Sequence, residues 1–118
     1  MTDELPQSIR TLFDRTVAED IEGSVLCFSP DARYFVNSWH EPTVGRPAIA
    51  AELDRQRRLF TDFRYEVRSV VGSGDRVVVE RTDSVEMGGR QVTMHTAGAF
   101  EQWLAIVEQS RRDHGQPV

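Results

Sequence analysis

The sequence predicts an α+β domain in which helices pack on the apolar face of a curved antiparallel sheet and leave a concave interior. Three observations carry this reading. The first half of the chain spaces its apolar residues helically, and the second half alternates them. A Gly88-Gly89 pair between two alternating segments marks a tight hairpin. Helices first and an antiparallel meander afterwards is the α+β arrangement, with one half-wet sheet face. At 118 residues the chain is read as one domain with one core, over 1–118.

Each element follows in turn. Ile9, Leu12, Phe13 and Val17 fall at helical spacing, so a first helix is expected from about Pro6, which suits a first turn, to Val17. A short second helix is expected around Ile21 to Phe28, stopped by Ser29-Pro30, where Pro30 and Asp31 supply turn chemistry. "ARYFVNSW" reads as a strand with Phe35 and Asn37 on one face and Tyr34 and Val36 on the other. "HEPTVGRPAI" reads as a loop, punctuated by Pro42, Gly45 and Pro47. A third helix is expected from about Pro47 to Phe60, with Ile49, Leu53 and Phe60 toward the core.

Three alternating segments come next. "FRYEVRSVVG" puts Phe63, Tyr65, Val67 and Val71 on one face. "GDRVVVERTDSVEM" follows, and Met87-Gly88-Gly89-Arg90 turns it back. "RQVTMHTAGAF" returns with Val92, Met94, Thr96, Gly98 and Phe100 inward. A final helix is expected in "EQWLAIVEQSRRDH", with Trp103, Leu104, Ile106 and Val107 as its stripe.

Composition narrows the function classes. Net charge is −5, and all 14 basic residues are arginine. The run Arg55 to Arg58 is flanked by Glu52, Asp54 and Asp62, which reads as a solvated helix face, so no nucleic-acid partner is expected. Cys27 is alone among apolar neighbours and reads as a buried small hydrophobe, without disulfide or metal spacing. The N-terminus has no signal-peptide pattern, and no apolar run approaches the roughly 20 residues of a membrane span. A cytoplasmic chain without a membrane partner is expected.

One stretch breaks the pattern. In "VVVERTDSVE" the apolar face carries Val77, Val79, Arg81, Asp83 and Val85, so two charges sit between valines. The plain structural reading is a buried ion pair, yet desolvation often cancels the attraction in such pairs, so stability alone is a poor reason for one. Asn37 adds an inward amide from another strand. Asn37, Arg81 and Asp83 together form a convergent polar trio in an apolar cavity, as a small-molecule site does.

These residues bring a resemblance with them. "FSPDARYFVNSWHEPTVGRPAI" and "GDRVVVERTDSVEMGGRQVTMHTAGAF" resemble the limonene-1,2-epoxide hydrolase family, over roughly residues 7 to 101. The sharpest parts are the Glu-Arg-x-Asp strand and the spacing from Asn37 to Gly45-Arg46. That family is part of the SnoaL-like and nuclear-transport-factor-like superfamily, so the resemblance implies a cystatin-like cone, a curved antiparallel or mixed sheet around helices with an internal pocket. It also implies one-step hydrolysis of an epoxide to a vicinal diol, with neither metal nor organic cofactor. Carried over, Asp83 is the general acid, Arg81 the bridging cation and Asn37 the amide that positions the water. Acid and base acting together suffice for a strained ring. A substrate pocket of Phe35, Leu53, Phe60, Val85, Met94 and Phe100 is expected for a small hydrophobic molecule, and the superfamily's habit implies a homodimer through the outer sheet face.

Two departures bear on activity. Phe35 stands where the family has a water-holding Tyr. "TAGAFE" runs directly into "QWLAIVEQ", so the strand that bears the family's base carboxylate has no counterpart and the sheet is left with an open edge. Glu101, His40 and His95 are poor substitutes, since a base must reach its water. The alternative readings are a non-catalytic ligand-binding or dimerising module, which both departures favour, and an isomerase or polyketide cyclase acting on a carbonyl.

Overall fold

In the computed structural model, which describes residues 4–36, 40–73 and 75–101, Pro6 holds extended backbone (φ −58°, ψ 143°) and α1 (Gln7–Val17) starts behind it. Pro6 therefore precedes the helix rather than forming its first turn. Its carbonyl accepts from the amides of Ile9 and Arg10, which offsets the missing N-terminal partners. Ile9 and Phe13, one turn apart, are the buried face of α1.

Asp20 caps α2 (Ile21–Val25) by accepting from the Gly23 amide at 2.9 Å. This helix stops three residues short of the expected Phe28. The amides of Cys27 and Phe28 bond three residues back, to Ser24 and Val25, so the chain tightens ahead of Pro30 instead of continuing as α-helix. Cys27 is half-buried rather than fully inside, with Arg15 Nη1 3.8 Å from its sulfur.

The expected strand over "ARYFVNSW" shrinks to β1 (Arg33–Tyr34), paired antiparallel with β2 (Thr43–Val44) inside the segment read as loop. The pairing is confined to these two residue pairs, and Gly45 at φ 87° turns the chain after β2 into α3 (Arg46–Leu59). Phe35 and Val36 are left exposed, at 50 % and 53 %. On α3, Ile49 is fully buried, while Arg55, Arg57 and Arg58 pair with Glu52 and Asp54 on the wet side, as the charge pattern predicts.

The main sheet has the order β3-β4-β5, with β3 (Thr61–Ser73), β4 (Arg76–Met87) and β5 (Arg90–Glu101), all antiparallel. Gly88 (φ 59°) and Gly89 (φ 78°) form a two-residue turn of the mirror-image type, and β4 and β5 pair without interruption from it. The β3–β4 pairing shifts twice, between Thr61 and Arg64 and between Val67 and Ser69. The second shift inserts Arg68 and reverses the parity beyond it. Val70 is thereby buried at 1 % exposure, whereas Val71, expected inward, lies 59 % exposed on the outer face.

Leu5, Ile9 and Phe13 meet Val70, Val77 and Val79 in the core, with Leu12, Tyr65, Val67 and Phe100 packed around them. No helix among the described residues is long and apolar enough to cross a membrane. The expected helix with Trp103, Leu104, Ile106 and Val107 lies outside the described residues.

At the hairpin, a Cβ at Gly88 would meet no atom within 4 Å, so its backbone conformation is what resists substitution. Gly88→Val is expected to cost about 1–2 kcal/mol from the left-handed conformation alone, measured by urea unfolding.

Candidate functional site

β4 turns Val77, Val79, Arg81, Asp83 and Val85 to the helix side of the sheet, and Asp83 is buried at 4 % exposure. Arg81 Nε donates to Asp83 Oδ1 at 3.0 Å and Nη2 to Oδ2 at 2.8 Å, a two-pronged pair between neighbours on one strand face. Thr96, directly across from Arg81 on β5, donates its hydroxyl to Asp83 Oδ2 at 3.2 Å. Arg81 Cζ lies 4.5 Å from the ring centre of Phe13 on α1, a cation–π contact.

Tyr65 on β3 stands opposite Asp83. The two-residue turn makes Met87 and Arg90 a hydrogen-bonded pair, so alternation aims the backbone groups of Asp83 at β5. Tyr65 and Asp83 therefore face each other where side chains approach most closely. The Tyr65 ring meets Phe13 edge-on at 5.1 Å, and its hydroxyl donates to Asp14 Oδ1 at 2.7 Å. Burial pushes the Tyr65 hydroxyl above its ordinary pKa near 10, and the bond to Asp14 adds to the shift.

Of the apolar residues expected around the pair, Val85 is buried two positions along β4 and half-buried Met94 lies directly across from Asp83. Half-buried Phe100 packs on Phe13 at 5.9 Å. Leu53 and Phe60 are half-buried on α3 and at its end. Phe35 is 50 % exposed beneath the Arg33 guanidinium, and Asn37 lies outside the described residues. His95 is on the outer face and Glu101 pairs with Arg76 at the sheet's end. Surface clefts among the described residues include one between α2 and α3 lined by Ile21, Val25, Leu26 and Pro47 and one near His40, Glu52 and Arg55. Neither includes Arg81 or Asp83. The described residues hold no cluster suited to a metal ion.

The sequence reading left out Thr96, Tyr65, Asp14 and Phe13 as site residues. The hairpin offered a signal for Thr96, since pairing Met87 with Arg90 sets Arg81 against Thr96.

This arrangement sits in a known kind of domain. Residues 9–103 match the SnoaL-like domain. The chain belongs to the SnoaL-like family, within the NTF2-like superfamily. Its α+β architecture of helices on an antiparallel sheet is that family's cone fold. The chain is similar to an LEH-like epoxide hydrolase from M. tuberculosis, at 22 % identity and a TM-score of 0.69, over 81 % of this chain and 71 % of that one. It is also similar to an NTF2-like protein of unknown function from Burkholderia pseudomallei, at 19 % identity and a TM-score of 0.73, over 81 % and 79 %. A third likeness is to an epoxide hydrolase/cyclase-like enzyme of pyran ring formation in salinomycin, at 14 % and 0.71, over 80 % and 77 %. At these identities the likeness is one of fold. No curated protein sequence matches the chain.

Two outcomes follow from the geometry. Asp83→Val leaves the Arg81 charge without its partner and is expected to cost about 3–5 kcal/mol, whereas adding Arg81→Met restores most of it, read from a double-mutant cycle in urea. Because the folded state raises the Tyr65 pKa, its contribution is complete below about pH 10 and is lost as pH rises toward the folded value. Melting temperatures from pH 9 to 11 are expected to fall less steeply in Tyr65→Phe than in the parent.

Proposed function

We propose that this SnoaL-like chain is an epoxide hydrolase of the limonene-1,2-epoxide hydrolase type, opening a small hydrophobic epoxide to a vicinal diol. The observation that carries the reading is the buried Arg81–Asp83 fork on the apolar face of β4, among Val85, Met94 and Phe100. In this reading Asp83, holding a proton, gives it to the ring oxygen as the carbon–oxygen bond breaks. Water, oriented by Asn37, adds to the ring carbon, and its proton passes to bulk solvent, from which Asp83 is reprotonated. Arg81 fixes the carboxyl and balances charge as the proton leaves. Leu53, Phe60 and Phe35 complete the apolar surroundings. No metal or organic cofactor is required, because protonation alone activates a strained ring. We take the chain to be a cytoplasmic homodimer.

A second reading, a non-catalytic ligand-binding module, is favoured by the occupancy of the pair. Both Asp83 oxygens already have donors from Arg81 and Thr96, and the Arg81 guanidinium lies over the Phe13 ring.

Diol formation from limonene oxide and styrene oxide, followed by chromatography beside Asp83→Asn, decides between the two. A hydrolase is expected to turn over one of them and to lose about 100-fold or more in Asp83→Asn, the contribution of a positioned acid. A folded parent chain without turnover sinks the hydrolase reading, and a ligand-induced rise in melting temperature then identifies a binding module.

A further inference from the structure

Among the described residues three hydrogen bonds reach the Asp83 carboxylate, from Arg81 Nε to Oδ1 and from Arg81 Nη2 and the Thr96 hydroxyl to Oδ2. These partners differ in what they offer once the carboxyl holds a proton. A guanidinium has only N–H donors and no acceptor, so Arg81 serves only a carboxyl oxygen that accepts. A hydroxyl both donates and accepts, and its hydrogen turns to suit the partner. Of these contacts, Thr96 alone fits both forms of Asp83. It donates to the carboxylate, as in the structure, and it accepts from the acid.

The β4–β5 register puts Thr96 there. It stands across from Arg81 and two residues past Met94, so its side chain shares the face of Asp83 and reaches it diagonally. The neighbouring groups offer an acid hydrogen little else. Met94, directly across from Asp83, has a thioether, which is a weak acceptor, and Val85 is apolar. The Tyr65 hydroxyl is turned to Asp14 on α1. Asp83 itself is buried and has little solvent to fall back on.

We propose that Thr96 is a positioning residue for epoxide opening, holding the acid hydrogen of Asp83 until substrate takes it and then stabilising the carboxylate left behind. This rests on the hydrolase reading of the Arg81–Asp83 fork and deepens it. Before reaction, the hydrogen on Asp83 Oδ2 bonds to Thr96 Oγ1. The ring oxygen of the epoxide then replaces Oγ1 as its acceptor. The proton passes to that oxygen while the ring carbon–oxygen bond breaks, and the bonding pair stays with the oxygen. Negative charge develops on Asp83, and the Thr96 hydroxyl turns back to donate to Oδ2, the bond seen in the structure. Water completes the diol and releases its proton to solvent, and reprotonation of Asp83 restores the starting bond. A hydrogen bond to an ionised group is the stronger kind. This one therefore strengthens as charge forms, which lowers the barrier rather than tightening substrate binding.

The test is steady-state hydrolysis of limonene oxide or styrene oxide, whichever the parent turns over, by Thr96→Val, Thr96→Ala and Thr96→Ser. Rates are referred to the folded fraction read from urea unfolding. Valine keeps the branched shape of threonine without its hydroxyl, and alanine is the second arm should valine disturb the packing. A buried acid hydrogen left without its acceptor is expected to lower kcat about tenfold to a hundredfold in both. KM is expected to hold its parental value, so that kcat and kcat/KM fall together. Thr96→Ser keeps the hydroxyl and is expected to restore most of the rate. A merely structural Thr96 shifts the urea midpoint and leaves kcat per folded chain unchanged. That unchanged kcat, or a Thr96→Ser variant as slow as Thr96→Val, overturns the positioning role and leaves the hydrolase reading standing, because the parent still turns over. A parent that opens neither epoxide overturns both.

Discussion

The fork between Arg81 and Asp83 constrains everything packed around it. Two charges on the buried face of a strand hold their place only if each is fully partnered, because an unpaired charge there costs several kcal/mol. Asp83 meets that demand with two guanidinium donors and the Thr96 hydroxyl, and Arg81 adds the Phe13 face. The partners come from β4, β5 and α1. The pair therefore fixes how the first helix lies against the sheet, as well as how its own strand is filled.

Phe13 is where these demands meet. One side of its ring lies under the guanidinium, Tyr65 and Phe100 approach edge-on, and its neighbour Asp14 holds the Tyr65 hydroxyl. A helix that slid along the sheet would break contacts to all three strands at once. A stability role and the proposed functional role would fall on the same residues, and a buried ion pair by itself does not choose between them. The double substitution chooses, because an apolar pair can restore stability without restoring proton transfer.

The described strands show the same economy. Register shifts interrupt β3, while β5 pairs with β4 without a shift from its turn to Glu101. The Arg68 insertion in β3 also moves Val70 into the core, so register and core filling come from one extra residue.

Much of this was legible in the residues. Helical spacing located α1 and α3, alternation located the three long strands, and the double glycine set the β4–β5 register, which places Thr96 against Arg81 by counting. Alternation along β4 also put Arg81 and Asp83 inward. These are local properties, dictated by backbone periodicity and by the left-handed freedom of glycine. The rest depended on other segments. Tyr65 faces Asp83 only because the bulge at Arg68 changes the count, and a bulge depends on how both strands meet the core. β1 covers only Arg33–Tyr34, although the alternation in its own sequence runs further. Phe13 finds Arg81 across 68 positions of chain, and no spacing rule reaches that far. Local chemistry determined the elements and the charges they carry; packing between distant segments decided which groups those charges meet.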